Sequence, residues 1–132
     1  MQSQLTALLV MTRERHFVLM DPLKTIDANV RTASTCEEVA RMLRDDPNIG
    51  LVLTDLCLPD GNWFDILTLV SDLHPGANVV VCARLADELL WNKVLEAGGF
   101  DVLVEPYETN EVSRILLSAI KPLRQYQLAA MN

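Results

Sequence analysis

Lysine and arginine nowhere gather into a basic patch along these 132 residues, and the formal net charge is -7. An acidic chain of this kind repels a phosphate backbone, so direct binding to nucleic acid is not expected. Cysteine is scarce and odd in number. Cys36, Cys57 and Cys82 form no CxxC pair and no Cys/His cluster at metal-ligand spacing, which argues against a disulfide framework and against a zinc site. No apolar run approaches the length a bilayer requires, and the start MQSQLTALLVMTRER lacks the positive residues and cleavage pattern of a secretory leader. A cytoplasmic protein that does not engage membranes is the expectation. Low-complexity stretches, internal repeats and interdomain linkers are likewise missing.

What is present is a large apolar fraction, 50% of residues beside 22% charged, in a chain of single-domain length. Apolar runs suited to buried strands recur at Leu5–Met11, Val30–Ala33, Leu51–Thr54, Val79–Cys82 and Val102–Val104, and three of them are continuous rather than alternating. Helical spacing fills the gaps. Val39, Ala40 and Leu43 share one side of 37–44, and Val112, Ile115, Leu116, Ala119, Ile120 and Leu123 one side of 111–123. Thr35 and Glu38 form a capping box that starts the second helix, and Gly98-Gly99 ends the fourth. The first helix is the least regular, because Pro22 removes an internal hydrogen bond unless Asp21-Pro22 restarts a turn. Five strands alternating with five helices predict an α/β fold, a doubly wound five-stranded parallel sheet in one domain over 1–124. Residues 125–132 form a tail that either extends the last helix past Pro122 or frays.

Open sheets of this class carry their sites at the carboxyl ends of the strands, and LVLTDLCLPDG puts a single acid, Asp55, at such an end. With LEAGGFDVLVEP, this segment resembles the receiver domains of two-component response regulators, the CheY-like branch of the flavodoxin-like folds. The likeness runs from Leu5 to about Leu123. It implies strand order 2-1-3-4-5, Asp55 in the phosphoacceptor position, Pro59 in the loop that follows, and a proline, Pro106, after a cis peptide. It also implies signalling partners: a histidine kinase, or an output domain either attached or downstream. A contact face formed by the fourth helix, fifth strand and fifth helix carries Trp91, Val102 and Tyr107, through which a homodimer could form.

Four departures from the family's pattern bear on chemistry. The acidic pair that helps to hold magnesium is replaced by Met11-Thr12 or Thr12-Arg13, the hydroxyl residue ending the fourth strand by Ala83 (or Cys82), and the lysine ending the fifth by Glu105. The aromatic switch position aligns with Val102. Phosphoryl transfer to an aspartate depends on positioning and on cations near the moving oxygens, so Asp55 with at most the Cys57 carbonyl would bind magnesium weakly. The expectation is a protein-interaction module with weak or no phosphorylation, no enzymatic activity and no resident cofactor. Arg13 and Arg84 flank the expected pocket, and either could bridge Asp55 and Glu105 in a charge-swapped site; the bland alternative is drift, with both arginines solvated. An orthodox phosphoacceptor would need Glu14 to rescue magnesium binding. An aspartyl-nucleophile hydrolase would need a general acid where Cys57 stands, and a flavin carrier a phosphate loop in place of MTRER. His16 and His74 are expected at helix surfaces or ends, and Cys57 and Cys82 as small apolar residues rather than a redox pair.

Overall fold

The computed structural model describes residues 5–85 and 87–130, the side chains only as far as Ile120. Five parallel strands form the sheet: β1 (Thr6–Val10), β2 (Asn29–Ala33), β3 (Ile49–Asp55), β4 (Asn78–Ala83) and β5 (Asp101–Val104). Their order is β2-β1-β3-β4-β5, as the resemblance implied. The helices are α1 (Met20–Lys24), α2 (Cys36–Asp45), α3 (Trp63–Leu73), α4 (Glu88–Glu96) and α5 (Thr109–Ala130). A seven-residue 3-10 helix, Arg13–Leu19, precedes α1, and a two-residue antiparallel hairpin of Cys57–Leu58 and Gly61–Asn62 precedes α3. The backbone of α5 continues past position 124 to Ala130; Leu123, assigned to its apolar side from the sequence, lies outside the described side chains, and residues 1–4, 131 and 132 outside the described chain. Among the described residues no helix is long and apolar enough to cross a membrane.

Successive strand residues face opposite sides of a sheet, and the continuous apolar runs supply both sides. Ala7, Leu9, Leu51, Leu53, Val80, Cys82 and Leu103 pack against Leu19 and Leu23 near α1 and against Val112, Leu116, Ala119 and Ile120 of α5. Leu8, Val10, Val52 and Val79 pack the other way, onto Val39 and Leu43 of α2 and Ile66, Leu67 and Val70 of α3. Asp55 lies two and four residues beyond Leu53 and Leu51, so the same alternation turns its side chain toward the layer of α1 and α5. That parity decides which loops reach it.

The start of α1 is displaced by its sequence. Its third residue is Pro22, where the missing amide belongs to the first turn and costs no internal bond, so the regular helix begins at Met20 and the preceding residues wind as the tighter 3-10 form. Thr35 caps α2 as expected, accepting from the Glu38 amide at 3.1 Å, while the Glu38 carboxylate reaches back to the Ser34 amide at 3.0 Å rather than to that of Thr35. Asp60 of the LPDG turn accepts from the amides of Cys36 and Glu37 at 2.7 and 3.1 Å, tying the loop after β3 to the positive end of α2. These bonds hold the Asp60 carboxyl below its ordinary range. Asn62 and Asp65 complete a second capping box at the start of α3, which went unread in the sequence. Gly61 sits close against this cap: a Cβ would stand 2.6 Å from an Asp65 carboxylate oxygen and 2.7 Å from Cys36 Sγ, so those side chains would have to shift. The Glu105-Pro106 peptide is cis.

Candidate functional site

A cleft of about 520 Å³ opens at the carboxyl end of the sheet, lined among others by Thr12, Asp55, Cys57, Cys82 and Arg84. Asp55, 8% exposed, ends β3 at its floor. A guanidinium covers it. Arg15 Nε donates to Asp55 Oδ2 at 2.8 Å and one terminal nitrogen to Oδ1 at 3.1 Å, a bidentate pair. The other terminal nitrogen donates to Glu105 Oε1 at 3.0 Å. A single arginine thus joins the acid at the end of β3 to the acid just after β5. The hydrogen bond to Asp55, opposed by partial burial and helped by the bond to Glu105, raises the Arg15 pKa above the usual arginine value, so the side chain stays charged at any pH the fold survives.

Arg13 and Arg84, the residues the sequence suggested for this bridge, are both exposed, and neither takes part in an ion pair among the described residues. The cause is the geometry of the 3-10 helix. A 3-10 helix repeats every three residues, so Thr12 and Arg15 lie on one side of it and Arg13 a third of a turn away. The Arg15 amide donates to the Thr12 carbonyl at 2.9 Å, the bond that sets this spacing. Arg84 follows the end of β4 and lines the cleft from its far side. The usable signal was the interval Thr12-x-x-Arg15 ahead of a delayed helix.

The replaced positions take different roles. Met11 is fully buried in the layer between sheet and α1, Thr12 lines the cleft, and Glu14 is exposed on the 3-10 turn. Ala83 is buried at the end of β4, and its carbonyl accepts from the Glu105 amide at 3.1 Å and from the Tyr107 hydroxyl at 3.3 Å. Tyr107, expected on a contact face, is half-buried with its hydroxyl in the site, where Arg15 donates to it at 3.4 Å. Burial raises its phenol pKa. Trp91 is exposed on α4 with its indole donating to Asp101 at 3.2 Å, and Val102 is half-buried on β5. His16 and His74 bond backbone carbonyls, of Met11 and Pro47, each at 2.9 Å, the second from the cap of α3.

The donor set does not suit magnesium. Both Asp55 oxygens are engaged by a guanidinium, Met11 offers no oxygen ligand, and among the described residues no group of three His, Cys, Asp or Glu is placed to hold a metal ion. The cysteines differ in access. Cys57 is exposed; burial pushes the Cys36 thiol up to about 11, and Cys82, fully enclosed, is raised further. Thiolates are the nucleophiles, so iodoacetamide at mildly alkaline pH should alkylate Cys57 first while Cys36 and Cys82 lag, as peptide mass spectrometry would show; early loss of Cys82 would mean that the cleft floor opens.

No protein-family model matches the chain. Response regulator protein PilR of Pseudomonas aeruginosa is 27% identical over 93 residues, covering 70% of this chain and 21% of that protein, so the chain spans about a fifth of the relative's length. Among solved structures, the signal receiver domain of an HD domain-containing protein from Pseudomonas fluorescens superposes with a TM-score of 0.82 at 17% identity, covering 96% of this chain and 94% of the other. A response regulator receiver domain protein from Clostridium thermocellum gives 0.79 at 22% identity, with 92% and 98% covered. At such identities the two superpositions speak to the fold.

Proposed function

Because the chain is a CheY-like receiver domain of the response-regulator family, we propose that it acts in two-component signalling as a protein-interaction module whose resting state is held by Arg15 rather than set by phosphorylation. The observation that carries this reading is the guanidinium bound to Asp55 and Glu105 together, a fixed cation where an acceptor site needs a metal ion and a mobile one. An incoming phosphoryl group would have to displace Arg15 from a carboxylate it grips with two hydrogen bonds, while Glu105 adds negative charge beside the acceptor. The reading includes no catalytic activity and no resident magnesium. Its output is contact with other proteins, a histidine kinase or an output domain, or a second copy through the face of α4, β5 and α5. Trp91 and Leu95, one turn apart on α4, are exposed on the flank from which Trp91 reaches Asp101 of β5, in keeping with such a face. A cytoplasmic setting belongs to the same proposal.

Acetyl phosphate with magnesium, followed by intact mass measurement, tests it. The expected result is unmodified protein after a time in which an orthodox receiver is converted. A stoichiometric adduct, lost in Asp55→Asn, would establish the phosphoacceptor in its place.

A further inference from the structure

We propose that Tyr107 is a positioning residue that couples the Arg15 cluster to the exit of β4, and so to the exposed apolar face of α4. This rests on the reading of Arg15 given above. The Tyr107 hydroxyl lies between two groups from different elements: it accepts from Arg15 of the 3-10 helix at 3.4 Å and donates to the Ala83 carbonyl at the last residue of β4 at 3.3 Å. Ala83 has no hydroxyl of its own, so the phenol supplies the polar group at the strand end from the loop after β5. Four residues beyond Ala83, Asp87 caps α4 by accepting from the amides of Leu89 and Leu90 at 3.0 and 3.3 Å. The short link between them carries Arg84 and Leu85, the latter 80% exposed.

The geometry makes the coupling specific to one atom. The Ala83 carbonyl keeps its bond from the Glu105 amide whether or not the phenol is present, so losing the hydroxyl leaves the strand pairing satisfied. What is lost is the connection to Arg15. With the hydroxyl in place, withdrawal of Arg15 frees the phenol to move, and the end of β4 with it; without it, the cluster and α4 are separate.

Trp91 reports on α4 through its indole N–H, which donates to Asp101 at 3.2 Å. The experiment is a nitrogen–proton correlation spectrum, with the indole signal assigned by Trp91→Phe, on four proteins: wild type, R15M, Y107F and R15M/Y107F. The expected result is a shift of the Trp91 signal on R15M in the tyrosine background and loss of that shift in the phenylalanine background. Equal shifts in both backgrounds, or none in either, would overturn the coupling. If R15M is poorly folded, Arg15→Lys, which keeps the charge but not the fork, serves in its place with the same two outcomes. A silent Trp91 combined with a large stability loss in R15M would remove the relay and leave the reading of Arg15 standing.

Discussion

Replacing Arg15 by methionine lowers unfolding free energy by about 2–3 kcal/mol, below the roughly 3–5 kcal/mol typical of breaking a fully buried pair because all three groups keep some contact with water. Side-chain exposures are 16% for Arg15, 11% for Asp55 and 35% for Glu105, so Asp55 suffers most when the guanidinium goes. Methionine fills similar volume without charge, which confines the loss to electrostatics and hydrogen bonding. For a domain of this size the change corresponds to a fall in Tm of roughly 8–12 °C. Asp55→Asn in the R15M background should restore most of it, because a neutral amide no longer needs a cation, and the double-mutant cycle then isolates the pair. A loss under about 0.5 kcal/mol, the size expected of an exposed pair, would favour drift: a solvated arginine near an unused acid.

The second large effect is a gain. The triple variant T12D/R15S/E105K keeps the net charge unchanged, since the three replacements alter it by -1, -1 and +2. It places a carboxylate at a cleft-lining position, withdraws the guanidinium from Asp55 and puts a cation where Glu105 stands. Metal ligation and charge neutralisation are the two things phosphoryl transfer to an aspartate asks of its surroundings. With acetyl phosphate and magnesium, this variant should acquire a phosphoryl adduct on Asp55 that the wild-type chain does not. R15S alone should stay unmodified, because vacating Asp55 supplies neither ligand nor cation. An adduct on R15S as large as that on the triple variant would mean that the guanidinium was the sole obstacle; none on the triple variant would mean that the cleft is closed for a reason other than charge.

The sheet was readable because β1, β3 and β4 are continuous apolar runs too short for a buried helix and alternate with segments of helical spacing, whereas β2 at the sheet edge is largely exposed. β1, β3 and β4 fall within two residues of their expected bounds. Asp55 was readable because it ends such a run before a Pro-Asp-Gly turn. The cation that meets it was not, since Arg13 and Arg84 stand directly beside the replaced positions in the sequence and Arg15 stands further off. A 3-10 turn of seven residues changes the azimuth of each side chain, and only with that geometry does Arg15, not Arg13, swing over the strand end. Tyr107 was hidden for a related reason: it sits in a loop, where no periodicity tells inside from outside, one residue after a cis peptide. The charge of the site could be summed from the sequence, but not which atoms would share it.

The most direct measurement follows the Arg15 Nε–H resonance in a nitrogen-labelled sample while magnesium and beryllofluoride, an analogue of the acyl phosphate, are added together. Engagement with Asp55 predicts a slowly exchanging, displaced signal that stays where it is throughout the titration, with no change in the amides of Cys57, Ala83 or Arg84. A saturable shift of those amides, with the Arg15 signal moving to the position of a solvated guanidinium, would contradict the account.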